Sequence, residues 1–411
     1  MNVHLYRALR KANRYFKKRR KMKHGQLMSP VRRIEFVAPP RERICAMTFD
    51  DGPTRAACQP FIDGREGLTA HLLDVLKKYD SHATFCIIGS TAENYPDAPG
   101  KIGSSYAFGK KYDHYACFGQ DEMAGAVACP DLLKRIVSEG HEAANHGYRH
   151  IQYGPEYFVY RKRMFFANIS EVVSDLTKLH DLVKTETGYE ITMARPPHYV
   201  DRIGRFGSTN AYTAYAKLGY HYLAASVDGG GWMPTSGDYK KDVDIMVQAL
   251  ESRLKKDPDS LSGAVIFQKD GYNLSLESPV ACALELQLSL LNSYGYTVVG
   301  VGELMRHSPF EDVYADDKGL EAVKALDRAG YVIGFQNNQF KPDDPVTKEQ
   351  LIAMCSKKSD FMPTGCTDKR PLSVKEMAEI IGKMIGVPDK ICGNTRRDAG
   401  MAIWDVVSNC T

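Results

Sequence analysis

The chain has 411 residues, 43% of them hydrophobic, which is enough apolar material for a large buried core and a second, smaller domain. Lysine and arginine total 54 against 50 for aspartate and glutamate, so the net charge of +4 mildly favours anionic polymers and does not indicate nucleic acid. No apolar stretch is long enough to span a bilayer, and the sequence therefore predicts no transmembrane segment.

Residues 1–40 are predicted to form a basic extension. The first two dozen residues contain many lysines and arginines and no acid, and the apolar residues Val3, Tyr6, Leu9 and Phe16 share roughly one helical face. Such a helix suits an anionic membrane or polymer surface, and a solvated tail is the alternative. The apolar core of a signal peptide is not seen here.

Residues 41–306 alternate between strand and helix patterns, which is typical of parallel strands joined by crossover helices. The pattern predicts an α/β domain in which the polar carboxyl ends of the strands lie on one face. The predicted strands are Ile44–Phe49, Ala83–Ile88, Glu142–Asn145, Ile191–Arg195, Tyr220–Asp228, Gly263–Gln268 and Tyr296–Val299, and the predicted helices include Leu68–Lys78, Asp131–Ser138, Ile169–Lys184, Asp242–Lys255 and Val280–Asn292.

Two adjacent carboxylates, Asp50 and Asp51, follow the first predicted strand and precede a Gly52-Pro53 turn. Consecutive side chains of a strand point to opposite faces, so the turn must redirect one carboxylate before both can face a common centre. Adjacent carboxylates at a strand end suit a hydrolase in which one binds a metal and the other accepts a proton. An ordinary turn can have the same sequence, so this motif needs a second signal.

The second signal is the pair His146 and His150. Imidazoles four residues apart meet on one helical turn or across a tight loop, and there they can share one ion. With Asp51 they form a set of one carboxylate and two imidazoles, which leaves a coordination position for water. That set is typical of a catalytic site of the zinc type rather than a closed structural site.

A third motif, Arg195-Pro196-Pro197-His198-Tyr199, follows a later predicted strand. With these three motifs in this order, the chain from about Ile44 to Met305 resembles the polysaccharide deacetylases, carbohydrate esterases that remove acetyl groups from sugars. The resemblance implies a distorted, incomplete (β/α)7 barrel.

The resemblance also implies a role for each motif residue. Asp50 would be the general base, and Asp51, His146 and His150 would be the metal ligands. Arg195 would pair with Asp50, orient it and keep it ionised. Backbone near Tyr199 would help to hold the oxyanion. A plain surface ion pair is the alternative for Arg195.

The fourth and fifth motifs depart from the family pattern. The fourth ordinarily ends in Asp-Trp, whereas Asp228-Gly229-Gly230-Gly231-Trp232 puts Gly231 in place of the second acid. Trp232 would wall the acetyl pocket or belong to the core, and Asp228 would tune the site or simply end a strand. The fifth motif ordinarily supplies a histidine as general acid, and here Lys269 stands at that position.

Lys269 and His198 are the two candidate proton donors. A lysine can donate a proton in this role only if burial or neighbouring cations lower its pKa toward the working pH. A lysine that stays charged would stabilise the oxyanion instead. The remaining alternative is a solvated lysine and a weakened or inactive enzyme.

Residues 307–411 resemble an S-layer homology module, a family that binds cell-wall polymers. Two segments carry the resemblance, Phe310-Glu311-Asp312-Val313 and Phe340-Lys341-Pro342. Hydroxyl residues cap the starts of apolar-periodic helices, and the sequence therefore predicts a small C-terminal α-helical domain of compressed repeats. The cap residues and their partners three positions on are Thr347 and Gln350, Ser373 and Glu376, and Thr395 and Asp398, of which the last pair fits the pattern loosely.

These features predict a metal-dependent deacetylase of an N-acetylated glycan, peptidoglycan or chitin-like. Zn²⁺ is the expected ion, with Co²⁺ or Mn²⁺ as alternatives, and the C-terminal region is expected to bind a wall polymer. The rival hypotheses are a non-catalytic glycan-binding protein with a degraded active site and a metal-dependent amidase for small molecules. The domain content favours the cell surface or an extracellular location. The missing signal peptide and ten cysteines without a Cys-x-x-Cys pair keep a cytoplasmic location open.

Overall fold

The structure is a computed structural model. It describes residues 28–55, 67–90, 105–107, 110–112, 124–155, 164–207, 209–231, 236, 238–271, 278–356, 370–386, 388 and 391–409. By their contacts the described residues form two compact units. The first spans Glu42–Glu303, and the second combines residues 28–41 with the part of the chain that begins at Leu304.

A sheet of parallel strands forms the centre of the first unit. Its strands in this unit are β1 (Ile44–Asp50), β2 (Thr84–Ile87), β3 (Glu142–Asn145), β4 (Met193–Ala194), β5 (His221–Leu223), β6 (Val227–Asp228), β7 (Val265–Lys269) and β8 (Thr297–Val299). They run in the order β6-β7-β1-β2-β3-β4-β5, and β8 also pairs with β1. All of these strand pairs are parallel, as the strand–helix alternation predicts.

The part of the sheet that belongs to this unit is curled, because its two outermost strands, β5 and β6, are consecutive in the chain. Only residues 224–226 separate β5 from β6, although five strands lie between these two in the sheet. Neighbouring strands lie about 4.8 Å apart, so a flat sheet would put its edges about 29 Å apart. The connection from Leu223 to Val227 spans at most about 14 Å. The predicted α/β fold, a distorted and incomplete barrel, is therefore confirmed, and it has eight strands rather than the predicted seven because the segment predicted as one strand, Tyr220–Asp228, is divided.

Helices follow most of the strands and cover the sheet. The Ile169–Thr187 helix begins at Asn168, whose side chain accepts a hydrogen bond from the Glu171 N–H, and ends at Gly188 in the left-handed conformation. The five predicted helices are present, with ends within a few residues of the prediction. The helices of this unit are Leu68–Lys78, Pro130–Ser138, Ile169–Thr187, Ala211–Leu218, Tyr239–Lys256 and Val280–Ser293.

Two short antiparallel strand pairs lie in the loops of this unit. Ser105–Ala107 pairs with Lys110–Tyr112, within a segment that is otherwise outside the described residues. Arg202–Ile203 pairs with Thr209–Asn210, directly after the Arg195-Pro196-Pro197 motif.

The second unit is helical around its own apolar core, which includes Phe310, Phe340, Leu351, Met377 and Ile403. Strand Met28–Ser29 pairs with Gly334–Phe335, so residues before the first unit are part of this one. Among the described residues, no helix combines the length and hydropathy needed to cross a membrane. The other elements are strand Arg33–Ile34 and helices Leu320–Arg328, Lys348–Cys355, Val374–Met384 and Arg396–Asn409, while helix Val301–His307 lies where the first unit ends.

The predicted helix caps of the second unit are present. Thr347 with Gln350 and Ser373 with Glu376 form reciprocal capping boxes. The third start follows the same pattern with a shorter acid, because the Asp398 carboxylate accepts the Thr395 N–H at 3.0 Å and the Thr395 hydroxyl accepts the Asp398 N–H at 3.2 Å. The predicted domain boundaries at residues 40 and 306 stay predictions.

Candidate active site

The turn after β1 directs the two carboxylates Asp50 and Asp51 to one place. Asp50 is the last residue of the strand, and Asp51 has a φ of 81°, in the left-handed region that non-glycine residues rarely adopt. Asp51 is thereby turned away from the alternation of the strand, and both carboxylates are buried beside the same imidazole, that of His146. Consecutive side chains of a strand would point to opposite faces, and the strained backbone at Asp51 is what lets both carboxylates face the same site.

A buried carboxylate, Asp270, packs against this turn. Its N–H donates to the Asp50 carbonyl at 2.7 Å, and its side chain accepts the Thr69 hydroxyl at 2.7 Å. Gly52 has no space for a side chain, since a Cβ there would lie 1.9 Å from the Asp270 Oδ2. Burial raises the pKa of Asp270 to about 7, while the Thr69 hydroxyl opposes the rise.

His146 and His150 meet Asp51 at one point. The His146 Nδ1 lies 2.8 Å from the Arg195 carbonyl and must donate to it, so in the neutral ring the lone pair is on Nε2, which faces Asp51. The Asp51 Oδ1 lies 3.2 Å from Nε2 of His146 and 3.2 Å from Nε2 of His150. All three side chains are at least nine-tenths buried.

The donor set fits a divalent metal ion. The three candidate ligand atoms of Asp51, His146 and His150 all lie within 4.8 Å of one another. Two ligand atoms bound at about 2.0–2.1 Å to one tetrahedral ion are about 3.3 Å apart, close to the 3.2 Å separations seen here. A carboxylate with two imidazoles is also the ligand chemistry that Zn²⁺ and similar ions prefer. The site can therefore hold an ion and leave a coordination position open.

Arg195 holds Asp50 in position. The guanidinium is fully buried, and its Nη1 donates to the Asp50 Oδ1 and, at 3.0 Å, to the Thr48 hydroxyl. Nη2 donates to the Ala224 carbonyl at 3.0 Å, in the connection between β5 and β6. With its donors fixed on several sides, the guanidinium gives the Asp50 carboxylate one orientation.

Charges within the site favour ionised Asp51 and neutral His150. Burial alone would raise the pKa of Asp51, but the Lys269 ammonium and the two imidazoles hold it well below its usual range. Burial lowers the pKa of both histidines; the carboxylates outweigh this effect at His146, whose pKa is raised, and not at His150, whose pKa is lowered. Ionised carboxylate and neutral imidazole are the forms that bind a metal ion.

Lys269, the last residue of β7, reaches into the same site. It pairs in register with Asp50 of β1, and its ammonium forms an ion pair with the Asp51 Oδ2. Its side chain is only 12% exposed. The structure thus brings the candidate proton donor against the candidate metal ligand rather than leaving it in solvent.

His198 and Tyr199 lie beside the His150 and Arg195 side chains in a strained turn. Both have a φ of 56°, and with Asp51 and His150 they make four of the seven non-glycine residues that have positive φ in the described part of the chain. Such strain clusters at functional sites. The rings of His198 and His150 are 4.9 Å apart, and the Tyr199 ring lies 5.4 Å from the Arg195 guanidinium. The Tyr199 N–H donates to the Pro196 carbonyl at 2.9 Å.

The fourth motif is placed beside β7 but only partly described. Asp228 is exposed at the end of β6, where its carboxylate accepts the Gly230 N–H at 2.8 Å, a contact that shapes the turn. A Cβ at Gly231 would lie 3.1 Å from the Gln268 Oε1 and 3.3 Å from the Lys269 backbone nitrogen. These neighbours leave little space for any side chain at this position. Trp232 lies outside the described residues.

Several supporting residues were missed by the sequence analysis: Thr48, Thr69, Asn145, Asp175 and Asp270. Asp270 had a usable signal, because it directly follows Lys269 as a charged residue at a strand end. Thr69 and Asp175 sit within helices and give no local signal. Their roles appear only when distant segments meet.

Comparisons with known proteins match both parts of the chain. A sequence model of the polysaccharide deacetylase family matches residues 38–223, and a model of the S-layer homology domain matches residues 309–352. The chain is 25% identical over 181 residues to the peptidoglycan-N-acetylmuramic acid deacetylase PdaC of Bacillus subtilis, covering 44% of this chain and 26% of that protein.

Two further comparisons have a similar level of identity. The peptidoglycan-N-acetylglucosamine deacetylase PgdA of Listeria monocytogenes is 24% identical over 259 residues, covering 63% of this chain and 38% of that protein. The matches thus span about a quarter to two fifths of these two relatives. The solved structure of PdaC from Bacillus subtilis is 21% identical with a TM-score of 0.41, covering 66% of this chain and 93% of that one.

Proposed function

We propose that this chain, in which residues 38–223 match the polysaccharide deacetylase family and residues 309–352 match the S-layer homology domain, is a metal-dependent deacetylase of an N-acetylated glycan. The substrate would be peptidoglycan or a chitin-like polymer, and the ion would be Zn²⁺, with Co²⁺ or Mn²⁺ as alternatives. The observation that carries the proposal is the buried set Asp51, His146 and His150 beside the Asp50–Arg195 pair. A metal ligand set next to an oriented carboxylate is what hydrolysis of an amide requires.

Each residue has a defined task in the proposed reaction, in which the amide C–N bond breaks and acetate and an amine leave. A bound divalent ion would supply Lewis acidity and lower the pKa of a water molecule. Asp50, held by Arg195, accepts the proton of the attacking water. Backbone near Tyr199 would support the charge that develops on the acetyl oxygen, and since the Tyr199 N–H donates to the Pro196 carbonyl in this structure, that N–H would have to exchange partners to take part.

Lys269 or His198 donates a proton to the leaving nitrogen. The ion pair between Lys269 and the Asp51 Oδ2 puts the ammonium at the site, and the His198 ring stands next to that of His150. Asp228 and Trp232, with Tyr199, are the proposed contacts for the sugar.

Replacing Lys269 with alanine should lower kcat for acetate release about 10²-fold if the lysine is the proton donor. It should also change the alkaline side of the pH–rate profile, because that side reports the acid group. Acetate release from a chitin oligosaccharide across pH 5–10 measures both effects. Lys217→Ala, at an exposed position of the Ala211–Leu218 helix, serves as the control. An unchanged rate and profile, together with a loss in His198→Ala, would transfer the role to His198.

One rival function has support in the site itself. With Lys269 in place of the usual histidine and Gly231 in place of the second acid, the site could keep the metal and the barrel without a competent acid. The protein would then bind glycan and release no acetate. A measurement of acetate release by metal-loaded protein therefore tests both functions.

An acetate-release panel should show activity on acetylated glycans that a chelator removes and Zn²⁺ restores. The panel comprises chitin oligosaccharides, peptidoglycan and small N-acetyl amides, each assayed with and without the chelator, because the proposed reaction requires the ion. Release from small amides alone would indicate a small-molecule amidase. No release from any glycan by protein shown to contain metal would favour the non-catalytic binding protein.

The S-layer homology domain suggests where the enzyme works. We propose that residues 309–352 and the helices after them attach the protein to a cell-wall polymer, which would place the deacetylase at the cell surface near its substrate. A cytoplasmic location remains the alternative. Sedimentation of the full chain with purified cell walls, with and without competing soluble wall polymer, would measure the attachment.

A further inference from the structure

We propose that Asp175 is a positioning residue of the metal centre, whose carboxylate fixes the loop between His146 and His150 and thereby sets the affinity of the site for a divalent ion. The inference rests on the proposed function, since it takes the two imidazoles to be metal ligands. Asp175 itself is not a candidate ligand. It lies in the Ile169–Thr187 helix, distant in sequence from the loop.

Asp175 is hydrogen-bonded to two consecutive residues in the middle of that loop. Its Oδ2 accepts the backbone N–H of Tyr148 at 2.8 Å and that of Arg149 at 3.5 Å. Its Oδ1 accepts the Arg149 Nε at 2.9 Å. The Asp175 side chain is only 2% exposed, so solvent does not replace these contacts easily.

A second contact attaches the loop to the same part of the helix. The Asn145 Oδ1 accepts the Gly147 N–H at 3.0 Å, and its Nδ2 donates to the Leu176 carbonyl at 2.8 Å. Asn145 precedes His146 directly, and Leu176 follows Asp175. The loop is therefore fastened to one turn of one helix both at its start and at its middle.

The loop needs this support because its backbone is unusual. Gly147 has a φ of 86°, which glycine adopts readily, whereas His150 has a φ of 53°, a conformation that non-glycine residues rarely adopt without support. A Cβ at Gly147 would lie 3.3 Å from the Asp175 Oδ2, so the carboxylate approaches the backbone closely. Metal ligands must be held to within about 0.5 Å of their working geometry. Releasing the loop would let the His150 imidazole move relative to that of His146.

The contacts of the Asp175 carboxylate oppose part of the effect of its burial. Burial raises the pKa of Asp175, and the Arg149 side chain with the backbone amides of the loop opposes the rise. Arg149 is itself held against the Phe166 ring, with its guanidinium 5.3 Å from the ring centroid. Arg149, the charged residue in the middle of the His-x-x-x-His segment, thus holds the loop in place and is not part of the reacting centre.

The test measures metal affinity in the full chain, by competition for Zn²⁺ with a chromophoric chelator. Asp175→Asn and Asp175→Ala should weaken Zn²⁺ binding about 10- to 100-fold, the range seen when residues that orient metal ligands are changed. Arg149→Ala keeps the two backbone contacts and should have a smaller effect. Asp181→Asn, an exposed position on the same helix, is the matched control and should leave the affinity unchanged. Thermal unfolding of each metal-free variant shows whether the fold is retained.

The possible outcomes separate this inference from the proposed function. Weaker Zn²⁺ binding by Asp175→Asn with a cooperative metal-free unfolding transition supports the positioning role. Unchanged affinity in both Asp175 variants overturns that role, even where the unfolding midpoint falls, because the residue then serves only the fold. If the parent protein itself binds no divalent ion, the proposed function fails and this inference fails with it.

Discussion

Alanine in place of His146 should abolish specific divalent-metal binding and lower acetate release about 10³-fold or more, since a metal ion supplies several kcal/mol of transition-state stabilisation. The geometry makes this residue decisive. Its Nδ1 is fixed by the Arg195 carbonyl, and its Nε2 stands 3.2 Å from the Asp51 Oδ1. Chelator competition measures the lost binding, and acetate release from an acetylated chitin oligosaccharide measures the lost activity.

His307→Ala provides the control for this experiment, because it removes a histidine from the second unit and leaves the site intact. It should bind Zn²⁺ and release acetate as the parent does. Retention of Zn²⁺ affinity by His146→Ala would mean that Asp51 and His150 bind the ion without it. Retention of activity after loss of the metal would contradict the proposed chemistry directly.

The strands and helices of the first unit were predictable because their signals are local. Apolar runs such as Ile44–Phe49 end at Gly and Pro residues, and helix starts such as Asn168 carry a cap and its partner. The one divided strand, Tyr220–Asp228, shows where local signals stop. Arg195 donates to the carbonyls of Leu223 and Ala224, so acceptors that could extend a strand serve the active site instead. That contact joins segments almost thirty residues apart, and no pattern within either segment encodes it.

The candidate site was predictable wherever its chemistry lies in short motifs. The adjacent carboxylates, the spaced histidines and Arg195 each have a recognisable motif, and in the structure they converge. Lys269 was predicted as a proton donor, and its ion pair with Asp51 emerged only from the register of β7 against β1. Asp175 and Thr69 were missed because a buried polar anchor is defined by the segment that it holds. A helical aspartate next to apolar residues gives the same local pattern whether it is buried or exposed.

The buried pair of Arg195 and Asp50 makes the strongest prediction about stability. Replacing Arg195 with alanine leaves the Asp50 carboxylate buried without its partner, and the free energy of unfolding should fall by about 3–5 kcal/mol. Arg43→Ala is the control, because it breaks the exposed pair with Asp259 and should leave the free energy of unfolding close to that of the parent. Urea unfolding of the full chain, followed by a probe in the first unit, measures both values.

A double variant separates the stabilising role of this pair from its catalytic role. Changing Asp50 to leucine together with Arg195 to methionine removes both charges and keeps apolar volume, so part of the lost stability should return. The recovery should be partial, because the hydroxyl of Thr48 and the carbonyl of Ala224 lose their donor. Acetate release should stay at least about 10²-fold below that of the parent, since no group remains to accept the proton. A stable double variant that still releases acetate at the parent rate would show that Asp50 is not the base. If Arg195→Ala lowers the free energy of unfolding by less than about 1 kcal/mol, solvent must reach the buried pair.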